Sequence, residues 1–387
     1  MRASTDRIVT THVGALPAPP DLLDVSKVSD ARLNESVRQV VQFQKDAGVD
    51  FLNEGELTKS GNWVTFFNDR LKGFQAKEGS SAAELLFESK DWEDFSDFYK
   101  VALSGGSLFE QTGTAPVQTR SMDWVCTSQI SYCGQADLQR EIDTFKAALG
   151  GTDPGDAFLT STAPASIEPG RDNGFYKSQE EYVFAIAEAM SVEYEQIARS
   201  GFMVQVDDAW LAALWDRIGI PMGMEAYRRY CQMRVEALNH ALRNIPPEQV
   251  RYHLCWGSWH GPHSQDIEMK DIVDILLSVN AQTYLFEAAN VRHEHEYVVW
   301  ESVKLPDDKI LAPGIVSHST TLIEHPELVS ARIQRFANIV GRGRVIASTD
   351  CGLGLRCHPQ IAWAKLKALS DGAALASKAL WGRRSAA

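Results

Sequence analysis

Apolar and polar positions along the chain alternate between two periods. Short runs of strand character recur from end to end, at residues 7–15, 49–54, 129–132, 157–161, 202–207, 250–256, 282–288, 309–315 and 344–349. Between them lie stretches such as LNESVRQVVQFQKDAG, EEYVFAIAEAMSVEYEQIARSG and PELVSARIQRFANIVG, whose apolar residues fall on one helical face. Several close on a glycine just before the next strand, a usual helix stop. This alternation predicts an α/β fold with a parallel sheet covered on both faces, either a barrel or a doubly wound sheet. Nine strand-like runs compete for eight barrel places, so one of them is a hairpin or a loop. No GxGxxG or Walker pattern follows the first run, which argues against dinucleotide and P-loop folds.

The placement of unusual polar residues favours the barrel. Gly14, Glu56, Asp207, His253 with Cys255, Glu287, and Asp350 with Cys351 all stand at the C-terminal ends of different runs. Barrel active sites are assembled from those ends and the loops that follow. The chain is therefore read as a single (β/α)8 TIM barrel over 1–387. An insertion after the second strand–helix unit, at about 74–113 and rich in Ser, Gly, Glu and Lys, is read as a lid.

Composition narrows the function classes. The 387 residues are 44% hydrophobic and 23% charged, ordinary for a globular protein. A formal charge of −13 disfavours nucleic-acid binding, which needs clustered Lys and Arg. No apolar run is long enough to span a membrane, and MRASTDRIVTTHVG has no apolar secretory core, so a cytoplasmic location is expected. Six cysteines without framework spacing suit reduced thiols or metal ligands, and a homo-oligomer is left open.

The stretch RYHLCWGSWHGPH poses a metal question. His253 and Cys255 are two apart on a strand, so their side chains share a face. Glu287 ends the apolar run TYLFE, where a buried carboxylate needs a partner. Cys351 follows another strand, and Gly352 lets the backbone turn there. One imidazole, two thiolates and a carboxylate make a tetrahedral zinc set, gathered from three strands over about a hundred residues. Structural zinc sites usually staple local CxxC knuckles, and none is present, so this set reads as catalytic. His260, His263, His293, His295, Cys357 and His358 are read as loop or surface residues, and Cys126, Cys133 and Cys231 as structural.

Taken in order, these segments resemble cobalamin-independent methionine synthase in its short, single-barrel form. THVGALPAP resembles that family's T-x-x-G-S-x-P opening, VDFLNEGE its strand ending in Gly-Glu, and FMVQVDDAWL its I-Q-I-D-E-P-A-L strand. HLC resembles H-M-C, LFEAANVRHEHE resembles I-E-x-S-R-S-D-x-E, LAPGIVSHS resembles G-P-G-V-x-D-x-H-S, and STDCGLGLR resembles N-P-D-C-G-L-K-T-R.

The resemblance implies a (β/α)8 barrel whose zinc is held by His253, Cys255, Glu287 and Cys351. It implies transfer of a methyl group to the zinc-activated thiolate of homocysteine, giving methionine. The partners would be a small-molecule thiol and an alkyl (methyl) donor. A free thiol has a pKa of about 8.5, and zinc strips its proton at neutral pH. Glu56 and Asp207 would hold the substrate ammonium, with backbone groups of Val13, Gly14 and Ala15, and His318 would relay a proton to the leaving group.

Departures bear on the donor. Ala15 stands for the family's Ser, Gly170 for its pterin-stacking Trp, Asp207-Asp208 for Asp-Glu, and 289–292 for Ser-Arg-Ser-Asp. Trp63, Trp256 and Trp259 could form a different aromatic wall. The alternatives are a relative using another thiol or alkyl donor, such as an epoxide-opening coenzyme M transferase, or a metal-free uroporphyrinogen decarboxylase-like enzyme. A non-enzymatic zinc-binding protein is a further one.

Overall fold

The strands at the heart of the molecule are buried at every position, as a parallel sheet covered on both faces requires. The computed structural model describes residues 1–23, 25–59, 66–77, 89–104, 124–354 and 356–382. In chain order the strands are β1 (Val9–Thr10), β2 (Leu71–Ala76), β3 (Trp124–Tyr132), β4 (Phe158–Thr162) and β5 (Arg171–Asn173). They continue with β6 (Met203–Asp208), β7 (Val250–Leu254), β8 (Thr283–Phe286), β9 (Ile310–Val316) and β10 (Ile346–Thr349). Seven of them form a wholly parallel sheet in the order β1-β10-β9-β8-β7-β6-β4.

Residues 50–52 close this sheet on itself. The Phe51 amide donates to Thr10 O at 3.1 Å, Leu52 N to Asp156 O at 3.0 Å, and Phe158 N to Leu52 O at 3.0 Å. The expected eight-stranded parallel barrel is thus complete. The surplus ninth run, 129–132, is the end of β3. That run pairs antiparallel with β2, and the start of β3 pairs parallel with β5, in a separate three-stranded sheet. The excursion expected after the second strand–helix unit leaves one element earlier, between 50–52 and the helix Gln135–Leu149. Much of the proposed lid, 78–88 and 105–113, lies outside the described residues.

The first barrel helix shows how local sequence aims the chain. Ser29 Oγ accepts the Arg32 amide at the start of Asp30–Ala47, and Gly48 ends it at φ 82°. Leu33, Val37, Val40, Val41 and Gln44 form its buried face, and the turn at Gly48 sends the chain straight into 50–52. Among the described residues no helix is long and apolar enough to cross a membrane.

An ion network braces the wall beside this second strand. Lys59 bonds Glu54 at 3.0 Å and also Glu141; Arg70 bonds Glu141 at 2.9 Å and Glu193 at 3.0 Å. Tyr132 and Ser161 complete the shell of Glu193, at 2.7 and 2.6 Å. All five charged side chains are buried, so removing one cation strands a carboxylate. Arg70→Met is expected to lower unfolding free energy by about 3–5 kcal/mol. Urea denaturation checks this, and a change near zero would mean the network contributes no net stability.

Candidate active site

Alternation along β7 turns Arg251 and His253 into the barrel, and Cys255 continues the column just past the strand end. Its neighbour β6 places Asp207 in register with His253, and their side chains meet, Nδ1 to Oδ1, at 2.9 Å. That bond leaves His253 Nε2 buried and without a hydrogen-bond partner among the described residues. Cys255 Sγ lies 3.7 Å from Cys351 Sγ and 3.5 Å from Glu287 Oε1. Donor atoms of His253, Cys255 and Cys351 all fall within 4.8 Å of one another, a cluster able to hold a metal ion.

Backbone and side-chain contacts fix the parts of this cluster. Glu287 Oε1 accepts the Trp256 amide at 3.1 Å, and Oε2 accepts Asn290 Nδ2 at 2.6 Å. Asp350 Oδ1 takes the amides of Ala288 and Ala289, at 2.7 and 2.8 Å, and so pins the turn after β8 beside Cys351. A Cβ on Gly314 would come within 2.1 Å of that same oxygen, so the facing strand must carry glycine there. Arg356, past Cys351, donates from Nε to Ser258 O at 2.8 Å and ties the β10 loop to the loop bearing Cys255.

The electrostatics suit a cation. A hydrogen bond from Cys255, aided by His253, holds the Cys351 thiol well below its usual range despite burial. Burial opposes charge on His253, but Asp207 and Cys351 outweigh it and raise its pKa to about 10. Cys351 and His253 thus each favour the charged form of the other.

A second polar element faces the same cavity, which Val13, Ala15, Leu16, Glu56, Asp207 and Arg356 line together with His253, Cys255 and Cys351. Glu56 sits at φ 57°, and its Oε1 accepts Thr160 Oγ1 at 3.0 Å. Gly14, at φ 139°, leaves space for it, since a Cβ there would be 2.7 Å from Glu56 Oε1. Burial, then the charge of Asp207, pushes Glu56 up to about 8. Burial likewise raises Asp207. Helix capping after β6 falls to Asp208, which takes the Leu211 amide, and this frees Asp207 for the cavity.

Other residues singled out in the sequence stand outside the cavity wall, although His318 keeps electrostatic contact with Glu287 and Cys351. His318 is 2% exposed and is not among the residues lining the cavity; its Nδ1 has no hydrogen-bond partner among the described residues, and burial lowers its pKa. His295 and His358 are exposed, and His358 caps the helix Pro359–Trp381. His293 is not a surface residue: it is buried between Asp266 at 3.1 Å and Glu296 at 2.9 Å, with its ring tilted against Trp256. Trp256 is fully buried, with Nε1 on Ile267 O, and neither it nor Trp259 lines the cavity. Trp63 lies outside the described residues.

Known proteins resemble this chain over most of its length. The profile of the family described as "Cobalamin-independent synthase, Catalytic domain" matches residues 170–374. A methionine synthase of Saccharolobus solfataricus is 23% identical over 376 residues, covering 94% of this chain and 93% of that protein. The Arabidopsis thaliana protein named 5-methyltetrahydropteroyltriglutamate–homocysteine methyltransferase 3, chloroplastic, is 22% identical over 91% of this chain but only 38% of its own length. Among solved structures, a B12-independent methionine synthase from Shewanella sp. W3-18-1 in complex with selenomethionine is similar, with a TM-score of 0.71 at 17% identity, covering 97% of this chain and 99% of that one. With the profile spanning more than half of its residues, the chain belongs to the cobalamin-independent methionine synthase family, a family of methyltransferases.

Proposed function

We propose that this protein is a zinc-dependent thiol methyltransferase that methylates homocysteine to methionine. The observation that carries the reading is the spacing of the ligand atoms. In a tetrahedral zinc site, with zinc–sulfur distances of about 2.3 Å and zinc–oxygen of about 2.1 Å, two sulfurs stand about 3.8 Å apart and sulfur and oxygen about 3.6 Å. The pairs here are 3.7 and 3.5 Å. His253 Nε2, Cys255 Sγ, Glu287 and Cys351 Sγ would hold the ion, and the orphaned nitrogen would gain its partner. Bound zinc supplies Lewis acidity that keeps a substrate thiol ionised at neutral pH.

The chain's own residues account for the rest. Glu56 and Asp207 bind an ammonium group through two carboxylates facing one cavity. Backbone at Val13, Gly14 and Ala15 shapes the floor beneath it. Asp207 also orients His253, so amine recognition and metal geometry share one side chain. We assign to His318 the transfer of a proton from Nδ1 to the leaving group of the donor. The paired carboxylates favour an amino thiol over a sulfonated one, and they repel a tetrapyrrole's carboxylates. These charges support homocysteine over the coenzyme M and uroporphyrinogen alternatives.

Metal analysis is expected to give one zinc per chain, and Cys351→Ser to lose more than about 100-fold in zinc affinity and in activity. Full activity in that variant would end the zinc reading. Asn290→Ala, which removes the support of Glu287, is expected to weaken zinc binding by about 10- to 100-fold, read by chelator competition. Loss of free homocysteine is followed with methylfolate, methylcobalamin and an epoxide: reaction with either methyl compound identifies the donor, and reaction with the epoxide alone would remove methyl transfer.

Glu56 gives a signature in the metal-free protein. Its pKa is about 8 when folded against about 4.5 unfolded, so the folded form binds the proton more tightly. That stability is present below about pH 4.5 and lost as pH rises towards about 8. Glu56→Gln should therefore show a flatter Tm between these limits and a higher KM for homocysteine. Parallel Tm profiles for the two proteins would contradict the assignment.

A further inference from the structure

The barrel interior is polar one row beneath the proposed ligands. Gln205 on β6, Arg251 on β7 and Thr283 on β8 stand in register on adjacent strands, directly below Asp207, His253 and Leu285. All three are fully buried. Arg251 reaches across the barrel, from one terminal nitrogen to Thr11 Oγ1 at 2.9 Å and from the other to His12 O at 2.8 Å. Its guanidinium lies 3.8 Å from the centre of the Phe158 ring. Gln205 Nε2 donates to Val13 O and, at 2.8 Å, to Asp207 Oδ1. Both partners are acceptors, so the amide orientation is settled and Oε1 points the other way.

Three atoms in this row lack a hydrogen-bond partner among the described residues: Gln205 Oε1, Arg251 Nε and Thr283 Oγ1. They form a complementary set. The amide oxygen needs a donor, the guanidinium nitrogen needs an acceptor, and the hydroxyl serves as either. Arg251 is on the middle strand of the three, about 4.8 Å from each neighbour, so a water at its Nε stands between the Gln205 and Thr283 side chains. A halide would accept from Arg251 but meet the Gln205 oxygen with like polarity. A metal cation would meet the guanidinium charge. Water alone of the three satisfies every atom.

We propose that an ordered water bridges Gln205 Oε1, Arg251 Nε and Thr283 Oγ1, and that Gln205, fixed by it, positions Asp207. The water carries order from Arg251 through the Gln205 amide to Asp207 Oδ1, the oxygen that also meets His253. Arg251, Gln205 and Thr283 are positioning residues, since none lines the cavity. The water itself stands apart from the methyl-transfer reading; its effect on substrate rests on that reading.

Two measurements on the zinc-loaded full chain test this. A high-resolution crystal structure should show one density peak within hydrogen-bonding distance of all three atoms. A dry gap overturns the proposal, and so does an anomalous peak there after a bromide soak. In kinetics, Thr283→Val keeps the side-chain shape but removes one partner, and is expected to raise the KM for homocysteine about 3- to 10-fold. In the zinc-loaded protein, kcat and the KM for 4-sulfanylbutanoate, which lacks the ammonium, should stay unchanged, while Thr283→Ser should restore the homocysteine KM. Equal KM changes for both thiols, or none, overturn the positioning role. Should Thr283→Val fail to fold, the crystal structure of the native chain decides. If the unaltered protein turns over no thiol, the functional reading falls while the density still decides the water.

Discussion

The bond between Asp207 and His253 is the constraint on which the site depends. It forms because β6 and β7 lie side by side in register, so two inward positions of the same row are neighbours. Its effect runs in both directions. Towards β7 it fixes the ring so that Nε2 faces the two sulfurs. Towards the cavity it places one carboxylate beside Glu56, so that two acids share a space that burial makes unfavourable for both charges. Asp207 thus joins the proposed metal site and the proposed amine site within one short stretch of barrel wall.

Much of this was legible in the sequence because the relevant signals are local. His-x-Cys on a strand fixes a shared face, an acid at the end of an apolar run calls for a partner, and Asp-Cys-Gly marks a turn. The alternation of periods predicted a covered parallel sheet, and the unusual polar residues at its C-terminal strand ends favoured the barrel. Other features depend on neighbours distant in sequence. Residues 50–52 complete the barrel through only a few main-chain bonds. The excess run at 129–132 has a strand's composition but pairs outside the barrel. His293 looked like a surface histidine because its acids come from both sides: Asp266 from the preceding loop and Glu296 one helical turn on. The tryptophans after Cys255 suggested a cavity wall, yet Trp256 is packed away from it.

The barrel floor departs from the usual stack of branched aliphatic residues. Val9, Phe51, Phe158, Met203, Ile310 and Ile346 supply an apolar ring, but Arg251 crosses it with no carboxylate bonded to its guanidinium among the described residues. A buried cation held by a hydroxyl, a carbonyl and an aromatic face puts positive potential beneath a mouth crowded with acids and thiols. No local pattern announces such a residue, because in sequence Arg251 is only a charge at the start of an otherwise apolar strand.

Cys255 and Cys351 are 96 residues apart, yet their sulfurs are near contact, and the strands carrying the intervening positions must first take their places in the ring. The last strand, β10, pairs with the first, β1, so the second sulfur arrives only as the ring closes. On the proposed reading, metal capture would be a late event, available to a finished barrel and withheld from a growing chain that has not yet made its final strand. A metal ion would, in that sense, inspect the fold before lending its chemistry to it.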